Sequence, residues 1–482
     1  MSKQKSLAKN SIYYLIYNVL NILFPFLIGI YVARILTPDS IGAVAFAQNI
    51  VQYFVIFAFL GIPTYGMREI AKARDDKNAL NRSFTELFII NFISTLFFIC
   101  LYVGMIFIVP TFRNNIWLYL VVGLLLVLNA INITWLFEGL EEFRFISLRN
   151  VIFKAVSFVF LIIFVKSDDD LLLYACINVI GTAGNYIINI IYYRRFAHFT
   201  IKNLNFKKHL RPIFALVVVN LAIEIYTLID VTMLGIFCQN ENVTYYSYAS
   251  KIQKIFLSVI NTFTMVLVPR ISLYYKEGNY EEFNNLLSKT LQLILLLAVP
   301  MIVGTILLSD NAITLLYGDD YIASSSVLKV LSFLLVISPV GYLLGSRVCL
   351  VAGQEWKMVV SVSVGAIVNV ICNIFFIQLY QELGAAIASV ISEIVVAIIY
   401  ICFGKKYFKL HLKWWSLISV VIASTTMAVG LYFSDFIPIN IYLKLILQII
   451  CAVILYFAIL LVLHENIVYT TCRNIMKKVF KK

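Results

Sequence analysis

The residues of this chain that could do chemistry are ionisable groups set in apolar stretches. Arg34, Glu224, Asp230, Lys251, Lys254, Arg347 and Glu393 fall inside, or at the edge of, runs of about 20 apolar residues, the length that crosses a bilayer. A charge at such a place is costly to desolvate, so it usually faces a water-filled cavity or another charge. Lys251 and Lys254 share one helix face by their i, i+3 spacing. The loop before their helix centres between Asn240 and Glu241. On antiparallel neighbours, Asp230 and Lys251 then sit at about the same depth, roughly 10 Å below the helix ends at ~1.5 Å per residue. Glu224 falls deeper, within reach of Lys254 if the helices are adjacent. One reading is structural ion pairing. The other is a cationic cavity for an anionic ligand, which the preference of buried charges for cavities favours. Lys154, Lys329 and Lys444 fall near the ends of their runs, where snorkelling accounts for them.

Amides form a second pattern. Asn18 with Asn21, Gln48 with Gln52, Asn129 with Asn132, Asn185 with Asn189, and Asn369 with Asn373 each share a helix face. Interhelical hydrogen bonding is the simpler reading; lining a polar cavity for sugars is the other, with Asn21, Gln48 and Gln52 as candidates. Tyr245, Tyr246 and Tyr248 near the outer mouth could stack on sugars, with Tyr245 and Tyr248 as candidate cavity lining. An interfacial aromatic belt explains them individually. No GxxxxGK[ST], GxGxxG or HExxH motif occurs, and all four histidines fall in polar segments. These residues offer no catalytic set, no metal ligands and no cofactor site, so the expectation is not an enzyme.

The elements that must position these groups are membrane helices. Of 482 residues, 62% are hydrophobic and 13% charged; soluble domains carry about 25% charged residues. The reading is all-α integral membrane, with about fourteen spans: 11–36, 42–62, 84–110, 116–137, 150–166, 171–193, 213–237, 244–268, 287–308, 326–351, 358–378, 384–404, 416–434 and 441–463. With the N-terminus inside, inner segments hold 29 of the 38 Lys and Arg and outer ones only Arg34, Arg113 and Lys166. That asymmetry puts both termini in the cytoplasm, and it explains the net charge of +13 without nucleic acid. The five Trp residues all fall near expected interfaces, as anchoring aromatics do. The eight Cys show no metal or CxxC spacing and read as small core residues. The first apolar run is too long for a cleavable signal peptide. Pro25, Pro300 and Pro339 lie mid-helix, where each should bend its span. A shift of 201 residues lays Gln52 on Gln253, a weak internal repeat. Domains are therefore expected at 1–200 (helices 1–6), 201–410 (helices 7–12) and 411–482 (a trailing pair and basic tail), with a site between the halves.

Several stretches carry a family resemblance. Residues 31–42, with Arg34-Ile35-Leu36-Thr37-Pro38 and Gly42, resemble the opening signature of polysaccharide-repeat-unit (Wzx-type) flippases of the multidrug/oligosaccharidyl-lipid/polysaccharide exporter superfamily. Residues 46–54, 60–72, 230–235, 268–270, 365–369 and 384–393 are similar to the same family. The chain departs from the pattern at Val231, where relatives often carry Lys, and near Arg347, where a Gln is common. The resemblance implies a MATE-like fold with two six-helix lobes around a central cavity. It also implies a substrate of undecaprenyl-diphosphate type carrying an oligosaccharide, moved for capsule, O-antigen or other surface polysaccharide. Membrane lipids, a polysaccharide polymerase and glycosyltransferases are the expected partners, and a bacterial cytoplasmic membrane the expected location. Arg34, Lys251, Lys254 and Arg347 would then hold the diphosphate. Glu224, Asp230 and Glu393 would balance or couple those charges.

Three other functions stay in view. A lipid II flippase is hard to separate from this reading. A multidrug exporter of the superfamily would favour cations, against which the deep Lys and Arg count. A membrane polymerase or glycosyltransferase would need a larger outer loop than any present here.

Overall fold

The computed structural model describes residues 20–479 apart from 22, 266, 412 and 438, and side chains there except at 215–223, 225, 475, 478 and 479. Asn18 and the basic N-terminal stretch lie outside the described residues. Every regular element among the described residues is helical, and eleven helices are long and apolar enough to cross a membrane. The expected fourteen differ at three places. Glu355–Gly404 is one element of 50 residues, but Gln381 breaks it with φ 51° and ψ −124°, where the sequence suggested a loop between two spans. Leu23–Val32 and Tyr226–Phe237 are shorter apolar helices, the latter ending the longer helix Lys207–Phe237. Large apolar side chains stand exposed along the spans, such as Ile108 at 80% and Val462 at 75%. Water would not tolerate such a surface, whereas lipid tails match it.

The chain packs as two compact units. One is Met1–Gly235 with Gln239–Thr244, the other Ile236–Cys238 with Tyr245–Lys482. The expected boundary at 200/201 falls inside the first. Ile213 shares a core there with Tyr65, Phe84, Trp135 and Tyr193, which ties the start of helix Lys207–Phe237 to that unit.

Each unit repeats one device. In the first, Asp76 caps helix Lys77–Ile108 by accepting from the N–H groups of Asn78 (2.9 Å) and Ala79 (3.2 Å). On the same helix, Asn81 accepts from the N–H of His198 (2.8 Å) and Thr85 from that of Thr200 (3.1 Å). In the second, Asn279 caps helix Tyr280–Leu316 through the N–H of Glu282 (3.3 Å). There Asn284 accepts from the N–H of Lys409 (2.8 Å) and Ser288 from that of His411 (2.9 Å). Asp76, Asn81 and Thr85 thus recur as Asn279, Asn284 and Ser288, each 203 residues on. The clip satisfies backbone donors that an extended connector would otherwise leave unpaired. Glu141 (φ 57°) and Gly353 (φ 68°) form a second matched pair, each followed by a 2.8 Å bond that closes a Schellman turn.

The stretch 31–42 has structural reasons for its composition. Thr37 caps helix Pro38–Phe59, and its own N–H and hydroxyl donate to Asp168 at 2.8 and 3.1 Å. Ser40 adds a third donor to that carboxylate at 2.9 Å. A Cβ at Gly42 would lie 1.8 Å from the carbonyl oxygen of Asn240, a backbone atom that cannot turn aside. Gly42→Val should therefore cost about 1–3 kcal/mol through forced separation of the two helices. The check is the thermal midpoint of the purified protein; an unchanged midpoint would show that the two backbones do not approach so closely.

Candidate functional site

Lys251 and Lys254 lie on helix Asn240–Met265, where the i, i+3 spacing puts both on one face. Lys251 is half-buried and Lys254 exposed. The Lys251 ammonium sits 4.8 Å from the centre of the Tyr248 ring. Tyr248 in turn stacks on Tyr317 at 4.3 Å and lies 5.4 Å from Tyr321. All three tyrosines are only 1% exposed. The ring stack holds the Lys251 ammonium against π-electron density. A sugar could reach Tyr248 only after this stack opens. Tyr245 is half-buried, and Tyr246 shares a 3.1 Å hydrogen bond with Ser389.

In the same unit, Arg347 ends a π-helical turn, Tyr342–Arg347, that follows Pro339 in an interrupted helix. Proline removes one backbone bond and the π-turn absorbs the mismatch, which lets the chain re-aim a side chain. The Arg347 guanidinium lies 4.5 Å over the Tyr342 ring. Ser338, just before Pro339, donates to the Glu393 carboxylate at 2.9 Å. The interrupted segment thus carries Arg347 and anchors Glu393.

In the first unit, Asp230 is 7% exposed on helix Lys207–Phe237, while Glu224 is exposed. Neighbours of Asp230 are gripped from helix Pro38–Phe59. Asn49 donates to Thr232 (2.7 Å) and to the Leu228 carbonyl (3.2 Å), and the Tyr53 hydroxyl is 2.8 Å from Thr232. Arg34 lies exposed in the turn after helix Leu23–Val32, between Tyr31, which donates to the Ile162 carbonyl at 3.1 Å, and the Thr37–Asp168 clasp. Thr37-Pro38 starts the next helix, so Arg34 stands at a helix end rather than deep in a span. Gln48 donates to Asn178 at 2.9 Å, and Gln52 is exposed.

Lys154 is the residue that the sequence reading undervalued. Helix Phe143–Phe164 starts seven residues before the expected span at 150, so Lys154 is its twelfth residue of 22 and not near an end. Its ammonium donates to Asn21 at 2.6 Å, and Asn150 donates to the same oxygen at 3.2 Å. The helix start also corrects Arg149, assigned to an inner loop: it is 5% exposed within the helix, 5.5 Å over the Phe145 ring. Trp135 is a further correction. It is 1% exposed, packed 6.0 Å from Phe84, and anchors no interface. Lys329 and Lys444 do lie towards helix ends, and each meets a carboxylate there, Asp310 at 2.8 Å and Asp435 at 3.0 Å.

Amide stripes serve helix contacts in several cases. Asn189 donates to Thr134 (3.3 Å), Asn91 to the Asn129 carbonyl (3.3 Å) and Asn369 to Ser392 beyond the Gln381 break (3.5 Å), while Asn373 donates to Asn369 within its own helix (3.0 Å). The chemistry available at the remaining groups is anion holding: ammonium and guanidinium groups half in reach of solvent, backed by aromatic rings and amides.

The chain is 23% identical over 407 residues to the putative O-antigen transporter of Escherichia coli (strain K12), covering 83% of this chain and 96% of that one. It is 23% identical over 424 residues to the capsular polysaccharide biosynthesis protein CapF of Staphylococcus aureus, covering 83% and 100%. Among solved structures it is similar to the lipid II flippase MurJ in an inward closed conformation, with TM-score 0.72 and 17% identity over 96% of this chain and 100% of that one. That likeness shows the MurJ/MATE-like helical fold. The MatE family pattern matches residues 215–376. The polysaccharide biosynthesis protein pattern matches residues 7–275, and this multi-pass membrane chain belongs to that family.

Proposed function

We propose that this chain is a flippase. It moves polyprenyl-diphosphate-linked oligosaccharide repeat units from the inner to the outer leaflet of a bacterial cytoplasmic membrane, for capsule or other surface polysaccharide. It does so by alternating access to the two leaflets. The observation that carries the reading is the Lys251/Lys254 face in a family whose relatives include one named putative O-antigen transporter and one named capsular polysaccharide biosynthesis protein. A diphosphate is a compact anion, and ammonium groups on one face can hold its oxygens without covalent chemistry. Lys154 with Asn21, Arg34 and Arg347 join the proposed set. Asp230, Glu224 and Glu393 balance charge while the site is empty, Gln48, Gln52 and Tyr245 line the polar path, and Tyr248, buried in its ring stack, supports Lys251 instead of lining that path. Undecaprenyl diphosphate is the proposed lipid, with polymerase and glycosyltransferases as pathway partners. Both termini are proposed to be cytoplasmic, from the distribution of Lys and Arg.

Movement of a labelled lipid-linked oligosaccharide across a bilayer containing only this protein tests the reading, with lipid II as the comparison substrate.

A further inference from the structure

A second cationic feature ends the chain, apart from the groups assigned to transport. Helix Ile441–Val462 stops in a Schellman turn: His464 adopts φ 52°, its N–H donates to the Leu461 carbonyl (3.1 Å) and that of Glu465 to Leu460 (2.9 Å). Glu465, fully buried, then caps the next helix, Asn466–Val479. Its carboxylate accepts from the N–H groups of Ile467 and Val468, both at 2.9 Å, and from the Ser416 hydroxyl. The chain therefore changes direction within a few residues and is pinned to helix Trp414–Ser434 at that point.

The level of this turn is marked by aromatics. Trp415 donates its indole N–H to the Leu463 carbonyl at 3.0 Å. Trp414 and Trp415 are 74% and 54% exposed at the start of their apolar helix. Exposed indoles at the end of an apolar helix belong at the membrane–water boundary. The terminal helix starts at that boundary. At ~100° per residue its composition separates into two sides. Val468, Cys472, Met476 and Tyr469 fall on one, Arg473 and Lys477 on the other. Ile467 and Val468 pack on the protein core, whereas Tyr469 and Met476 are 39% and 49% exposed. From 466 to 482 there are five Lys or Arg and no acidic residue.

We propose that helix Asn466–Val479 lies in the membrane surface. Arg473 and Lys477 hold the phosphates of anionic phospholipids, and Tyr469 and Met476 enter the boundary between headgroups and acyl chains. An apolar strip at the interface level beside a polar side whose charges are all basic is the pattern of an interfacial helix selective for anionic lipid. The inference does not depend on the transported substrate.

Hydrogen exchange of segment 466–479 tests it, using the full chain in nanodiscs of phosphatidylcholine with or without phosphatidylglycerol. Anionic discs should slow exchange by about tenfold, since each basic residue near such a surface adds attraction worth several-fold. Arg473→Gln with Lys477→Gln should remove the difference. If that variant fails to fold, raised salt should do the same to the unaltered protein, because surface charges are screened. Equal protection in both discs would overturn the proposal, since the protein alone would then hold the helix. Protection by inorganic phosphate in neutral discs would overturn it too, by showing a site for a free anion.

Discussion

Replacing Lys251 and Lys254 together by Gln lowers transport of the lipid-linked substrate by about a hundredfold, while the amount of protein in the membrane stays normal. A hundredfold is about 2.7 kcal/mol, less than the sum of two charge-assisted hydrogen bonds to phosphate oxygens at about 1.5–3 kcal/mol each, because the Gln amide still donates a weaker neutral bond at each position. Gln keeps similar length but loses the charge. Replacement by Arg should keep more activity than Gln, because Arg still offers charge and donors. Transport by proteoliposomes and protein abundance by immunoblot, measured on the same variants, separate the possible roles. Normal transport in a stable double-Gln variant would remove these residues from the site. A fall in abundance matching the fall in transport would make them structural instead.

The largest stability effect is expected at Glu86, far in kind from the transport groups. It is fully buried on helix Lys77–Ile108 and accepts from the Asn205 N–H at 2.6 Å, His209 Nε2 at 2.8 Å and the Lys208 ammonium at 2.8 Å. His209, itself 0% exposed, is 2.9 Å from the Tyr65 hydroxyl through Nδ1. Burial, the largest influence, holds the His209 imidazole below its ordinary pKa, despite the carboxylate beside it. A neutral ring with its proton on Nε2 then donates to Glu86 and accepts from Tyr65, satisfying all three groups. Glu86→Ala removes the shared acceptor and strands a backbone N–H and a buried imidazole. The expected loss is about 3–5 kcal/mol, at the scale of breaking a buried charged pair. Glu86→Gln keeps one acceptor oxygen and should lose about 1–3 kcal/mol. Thermal unfolding of the purified variants reads both; a midpoint for Glu86→Ala equal to the parent would contradict the latch.

Much of the architecture was legible because apolar runs of spanning length leave few alternatives. The errors have local causes. Glu141, Glu142, Arg144 and Arg149 made the stretch before 150 look like a loop, yet helix Phe143–Phe164 begins inside it. That hid the mid-helix position of Lys154. Trp135 falls at the end of an apolar run, where interface aromatics are expected, but Gly66 leaves space for its ring in the core: a Cβ there would lie 2.9 Å from it. The clips at Asn81, Thr85, Asn284 and Ser288 have backbone partners 115 to 125 residues away, which no side-chain pattern reveals. Glu86 and His209 are separated by 123 residues, beyond the reach of any local pairing rule. The candidate charges were visible individually, since a Lys in an apolar run needs no partner to be noticed. Their supports, such as the Tyr248–Tyr317 stack, come from residues 69 positions apart and appear only in three dimensions.

Central to this account is that the chain alone carries a lipid-linked oligosaccharide across a bilayer. The direct measurement uses purified protein in liposomes holding a fluorescent polyprenyl-diphosphate oligosaccharide, with a membrane-impermeant reagent that destroys the label on exposed molecules. The account predicts that protein-free liposomes protect about half of the label, that the protein exposes nearly all of it, and that the Lys251/Lys254 double-Gln variant returns protection towards the protein-free value. Protection unchanged by folded protein, under an imposed ion gradient or membrane potential as well as without one, would contradict it.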